Sequence, residues 1–274
     1  MILFRRVGEA FRHIEDREWI LLALETLGVL AGILIAFELQ EWGQRRNEAA
    51  RHQQLMERLF EETENDVASI RVMRNVLKPM VEREELFATR IGNGECPADE
   101  DFQAVTTLGM MPALTMPTSV YQELMGAGGL SSIERDDVRN HLAKLHEDLE
   151  WSQKQIDYFR TFAISMDPVP ESDPRVTVRF DPSADDPLKS TFNGRALCRD
   201  RAFKNKLAAA TRQHRVLLRY FQDPLEDAIS VCIRLGDSLG RTCTPPYDGP
   251  LTGDDAKIAA RARANMIKER ANSS

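Results

Sequence analysis

A chain of 274 residues with 42% hydrophobic side chains can bury a substantial core and is too apolar for an intrinsically disordered segment. Charged residues make up 29%, and the formal net charge of -7 gives no whole-chain electrostatic case for a nucleic-acid partner.

The sharpest local feature comes early. From Trp19 to Phe37 the chain reads WILLALETLGVLAGILIAF, in which Glu25 is the only charge and Thr26 the only other strongly polar side chain. That length suits a hydrocarbon core of roughly 30 Å at about 1.5 Å per residue. Eleven Ile, Leu, Val and Phe side chains, at roughly -0.3 to -0.6 kcal/mol each, outweigh one acid costing about 3 kcal/mol near the bilayer centre. Trp19 and Trp42 stand at the ends, where indole rings favour the headgroup level. The run predicts one transmembrane helix over residues 19–42, preceded by a juxtamembrane segment, 1–18. A buried core helix would be shorter or carry a polar face. A cleaved leader fits poorly, because Glu38, Gln40 and Glu41 follow without a small-x-small pattern.

Arg5, Arg6, Arg12 and Arg17 precede the run, while Arg45, Arg46 and Arg51 follow it. This slight excess predicts the N-terminus inside and the residues beyond 45 on the outer face. Cys96, Cys198, Cys232 and Cys243 are even in number and fit two bridges in three possible connectivities, with unpaired thiols as the alternative. Cys243 follows a predicted helix that contains Cys232, which makes those two a candidate disulfide. No C-x-x-C spacing points to zinc or to thioredoxin-like chemistry.

Residues 43–95 predict a stalk helix continuous with the membrane segment. They are rich in Glu, Arg, Gln, Leu and Met, and Leu55, Leu59, Phe60, Val67, Ile70, Met73, Leu77 and Val81 recur near a 3.5 to 3.6 period, as in a coiled coil. Pro79 predicts a kink or interruption, and GNGECP ends the helix. Residues 96–240 predict a helical domain. It begins with a short helix around Asp101 to Gly109, then a Met- and Pro-containing loop, then a helix from Ser119 to Gly126 closed by GAGGL. Ser131 and Glu134, at capping-box spacing, open the next helix, from about Ile133 to Ile164. Five prolines make 166–193 a loop, within which Arg175 to Phe180 alternates as one short strand or an extended segment. A last long helix spans about Asp200 to Leu239, with Pro224 predicting a kink or break. Residues 241–274 are a loop, TCTPPYDGP, and a basic Ala-rich helix from Asp254 to Arg270. The predicted fold class is mainly α: a transmembrane helix, a stalk and an extramembrane helical bundle.

The stretch ETLGVLAGILIAFELQEW resembles the N-terminal signature of a bacterial membrane-protein family of unknown function, close to G-E-x-x-L-V-x-x-G-I-L-I-A-L-x-x-x-x-W. Gly32, Ile33, Leu34, Ile35, Ala36 and Trp42 carry the likeness, while Leu39 to Glu41 replace an Asn-rich turn. Thr118 to Arg139 is similar to that family's Y-x-x-L-x-x-S-G-x-L-x-x-I-x-x-x-x-L-R pattern through Tyr121, Leu124, Gly128, Leu130, Ile133 and Arg139. The resemblance covers roughly residues 20–240. It implies a single-pass protein of the bacterial inner (cytoplasmic) membrane with a helical outer domain, and it supplies no catalytic residues.

Constellations for chemistry are sparse. His141 and His146 lie about 140° apart on a helix, so with Glu147 they make a poor metal set. His13, His52 and His214 have no acid or thiol at motif spacing. GAGGL has neither a preceding strand nor a following Lys-Ser or Lys-Thr, which leaves it as a helix-to-helix turn. The acid pairs Glu61–Glu62, Asp136–Asp137 and Asp185–Asp186 sit in surface-like contexts. Lys257, Arg261, Arg263, Lys268 and Arg270 form a basic tail, solvated or in contact with anionic lipid or protein. No catalytic, cofactor-binding or metal residue is singled out, and no enzyme is expected.

Glu25 is the residue to single out, because charges inside a membrane usually face partner helices or water. Glu25, Gly28 and Gly32 fall on one helical face with Ile35 and Leu39, and Gly28 to Gly32 is a G-x-x-x-G pair that permits close backbone approach. These residues predict self-association of the membrane helix. The expected function is a membrane-anchored interaction or sensory module, whose partners are the lipid bilayer, a second copy of the chain and a further protein, with no nucleic acid. An oligomeric channel or membrane effector lined by Glu25, or an enzyme with scattered groups, are the alternatives.

Overall fold

The computed structural model describes the backbone of residues 16–126, 128–170, 172–183, 188–247 and 249–273, with side chains from Leu24 onward except 163–166 and 272–273. The predicted segment 1–18 before Asp16 and the side chains of Trp19 to Ala23 lie outside the described residues. The chain is mainly α and divides into two compact units, Met1–Leu55 and Met56–Ser274.

Helix α1, Asp16–Gly92, is 77 residues long and belongs in part to each unit. Within the first unit it presents Leu24, Leu27, Val29, Leu30, Ile33, Leu34, Ile35, Phe37, Leu39 and Trp42 exposed. Arg46 lies 5.5 Å over the Trp42 ring, and Arg45 pairs with Glu41 at 3.5 Å. Among the described residues no helix is long and apolar enough to cross a membrane. The described side chains from Leu24 to Glu41 include three acids, Glu25, Glu38 and Glu41.

In the second unit, α1 buries Leu59, Phe60, Val67, Ile70, Leu77 and Val81. Of the kink or interruption predicted at Pro79, the interruption does not occur. Its ring is exposed, while Leu77, Met80 and Val81 keep the buried stripe continuous, and tertiary packing offsets the lost hydrogen bond. After α1 come a 3₁₀ turn, Asp99–Val105, where the sequence predicts a short helix, and then α2, Ser119–Gly126. A second 3₁₀ turn, Gly129–Ser132, precedes α3, Asp136–Met166. The predicted capping box is absent: the Ser131 hydroxyl donates to Gly128 O at 2.8 Å, and Arg135 occupies the cap position without a side-chain bond. Gly128 and Gly129 have φ of 120° and 69°, which explains the glycines of GAGGL.

The segment read as loop contains a hairpin. Strand β1, Val176–Phe180, pairs antiparallel with β2, Leu188–Phe192, with Val176 opposite Phe192 and Phe180 opposite Leu188. Phe192 drops into a small core with Phe87, Phe102, Leu197 and Phe203, and burial there selects the second strand. A short α4, Gly194–Arg199, is capped by the Asn193 side chain, and α5, Arg201–Leu239, by Asp200. Pro224 is buried inside α5 without ending it. Helix α6, Gly253–Ser273, closes the chain.

Helix α5 is the hub of this unit. It runs antiparallel to α1, with Gly236 beside Phe60 and His214 beside Glu84. It runs antiparallel to α3 also, joined by Arg135–Asp237 and Lys144–Asp227 pairs. Gly236 is required by closeness, since a Cβ there would lie 2.6 Å from Arg241 O and 3.1 Å from the Phe60 ring. The cysteines pair as Cys96–Cys198 and Cys232–Cys243, so no described cysteine is free.

Candidate functional site

Helix α2 has eight residues, too few to persist alone in water. A carboxylate 57 to 59 positions away holds its first turn. Glu62 of α1, itself buried, accepts from Val120 N–H at 3.0 Å, from Tyr121 N–H at 3.2 Å and from the Ser119 hydroxyl at 3.2 Å. Val120 and Leu124 then bury the inner face of α2. This arrangement brings Tyr121 onto His146 of α3, ring centroids 3.3 Å apart and planes within 18°.

The two rings line a cavity of 460 Å³ between α2 and α3. Leu114, Met116 and Leu149 supply apolar wall, and Gln122, Glu147 and Gln153 supply polar wall. No Lys or Arg is among the lining residues. Burial pushes the His146 imidazole down to about 4, so it is neutral near pH 7. Glu150 at the rim pairs with Lys154 at 2.6 Å, whereas Glu147 is exposed and makes no ion pair among the described residues.

One turn after Glu62, Asp66 is 2% exposed, and its Oδ1 has no hydrogen-bond partner among the described residues. Burial first, and the Glu62 charge second, push its carboxyl up to about 8. A second buried polar cluster lies further along α1. His214 Nδ1 is 2.9 Å from Glu84 Oε2, and the Thr107 hydroxyl donates to Glu84 Oε1 at 2.6 Å. His214 thus has an acid partner that no local spacing reveals. The carboxylate stands between hydroxyl and imidazole, so the imidazole is not placed to take the Thr107 proton, and this is not a nucleophile triad.

His141 and His146 are not brought together. His141 Nδ1–H donates to Asp137 O at 2.8 Å, and its ring lines a different cavity, with Arg135, Asp137 and Arg270. Glu64, Cys232 and Cys243 have potential ligand atoms within 4.8 Å of one another, but both sulfurs are in a disulfide and offer no thiolate. The basic tail is folded onto the bundle. Ile258, Ala259, Ala262 and Met266 are buried, Arg270 pairs with Asp237, and Arg71 and Arg74 of α1 grip Asp255 at 3.0 and 2.5 Å. Of the acids paired in sequence, Glu62 is buried and functional in packing rather than surface-like.

Glu25, Gly28 and Gly32 lie on the exposed part of α1 in the first unit, and a Cβ at either glycine would meet nothing within 4 Å. The family likeness rests on its own residues alone: neither protein-family models, nor characterised proteins, nor solved structures yield a match to this chain.

Proposed function

We propose that the chain is a single-pass, membrane-anchored helical module with an interaction or sensory role, its anchor lying at Trp19–Trp42 and self-associating through Glu25, Gly28 and Gly32. One observation carries this reading: ten large apolar side chains from Leu24 to Trp42 are exposed on a helix, and the sequence before them, Trp19 to Ala23, adds no charge. Soluble monomers rarely expose a contiguous apolar surface of that extent, and a bilayer covers one on every side of a helix. The three acids between Leu24 and Glu41 fit the reading if Glu38 and Glu41 stand in the headgroup region beside Trp42, leaving Glu25 alone within the apolar run. Two disulfides support an outer, oxidising location for the helical domain, and the family likeness supports a bacterial inner membrane.

The test is fractionation of the full chain. It is expected in the membrane pellet after alkaline carbonate, whereas a chain beginning at Arg46 is expected in the supernatant. Full-length protein released by carbonate, or soluble without detergent, overturns the anchor.

A further inference from the structure

The cavity between α2 and α3 has a chemical bias. An anion finds no Lys or Arg on its walls. A wholly apolar ligand would leave the Glu147 carboxylate on the wall without a partner. A ligand with an apolar body and a positive charge finds both of its needs met. Leu114, Met116 and Leu149 take the body, and an aromatic ring and an acid take the charge. His146, held neutral by burial, adds no opposing charge near pH 7.

We propose that this cavity binds a small organic cation, an ammonium group on an apolar body, with Glu147 as its counter-charge and the Tyr121 ring as the π face over which it sits. The cavity volume of 460 Å³ accommodates a small molecule and excludes a folded partner. Gln122 and Gln153 reach the same space and offer hydrogen bonds to a polar substituent. Glu62 is a positioning residue: it makes no contact with the ligand and holds the turn of α2 that carries Tyr121. The inference deepens the sensory reading by naming the ligand class, and it stands apart from the membrane anchor.

The test is calorimetric titration of the full chain in detergent with choline and with 3,3-dimethylbutan-1-ol, its uncharged isostere. Choline is expected to bind saturably and at least about tenfold more tightly than the isostere. Glu147→Gln is expected to weaken choline about tenfold and leave the isostere unchanged. Tyr121→Phe should retain affinity, and Tyr121→Leu should lose it. Equal affinity for the two probes, no saturable choline binding, or full choline affinity in Glu147→Gln overturns the proposal. Should Tyr121→Leu fail to fold, Glu147→Gln still decides, because Glu147 is exposed and makes no ion pair among the described residues. Carbonate extraction reads the anchor separately, so failure of one is not failure of the other.

Discussion

Asp66 makes stability depend on pH in a direction opposite to most carboxylates. An acid whose folded pKa is raised binds its proton more tightly in the folded state, so its contribution is fully present below the unfolded value and lost as pH rises towards the folded one. For Asp66 that window runs from 3.8 to about 8. At about 1.4 kcal/mol per pH unit, the loss between pH 5 and pH 8 approaches about 4 kcal/mol, an upper figure because side chains and water relax around a buried charge. Asp66→Asn removes the titration while keeping the shape. The unpartnered oxygen is common to the neutral acid and the amide and cancels, but the amide adds one more buried N–H donor, whose burial without a partner costs about 1–3 kcal/mol at every pH. The assay is urea unfolding of the full chain in detergent micelles, followed by far-UV circular dichroism at pH 5, 6, 7 and 8. The variant should be less stable than wild type at pH 5, and the gap should close or reverse by pH 8. Titrating groups other than Glu62, whose charge acts on Asp66, contribute alike to both proteins and cancel in the difference. Parallel stability curves for the two proteins across this range would refute the reasoning.

Gly236→Ala should cost about 1–3 kcal/mol in the same unfolding assay, since its Cβ would lie 2.6 Å from a backbone oxygen that has no flexible end to move. An unchanged midpoint would show that the turn after α5 yields easily. In a membrane association assay on residues 1–50, Gly28→Ile with Gly32→Ile should weaken self-association, and Glu25→Leu should weaken it less, because membrane polar contacts average only about 0.6 kcal/mol. Wild type no stronger than the double variant would leave the segment a plain anchor.

The long helices are legible in the sequence because each carries its own apolar repeat. The stripe from Leu59 to Val81 and the run from Phe203 to Ile233 both face the core. Neither Pro79 nor Pro224 breaks its helix, since a rule about local hydrogen bonding says nothing of the packing that holds each helix in place. The capping-box spacing at Ser131 and Glu134 failed for a local reason, as the two positive-φ glycines commit the chain to a 3₁₀ turn first. The second strand, LKSTF, is too short and too polar to announce itself, and only the pocket that receives Phe192 makes it a strand. The candidate cavity was the least legible part. Tyr121 and His146 stand 25 positions apart on separate helices, and the carboxylate that joins their geometry lies on a third. Glu62 reads as one of two neighbouring surface acids because nothing in a linear chain marks which one turns inward.

The cap that Glu62 gives to α2 makes a short helix conditional on a long one. Its three bonds are to Ser119, Val120 and Tyr121, so α2 draws the cap of its first turn from one face of α1, while Val120 and Leu124 hold its inner face in the core. Successive residues of an α-helix are separated by about 100° around the axis, and a carboxylate swung through half that angle would release all three donors together. Tyr121, stacked on His146, would lose the bond that fixes its backbone. The small helix is thus tied at its N-terminal end to the angular setting of α1, and the stacked rings lie just beyond that tie.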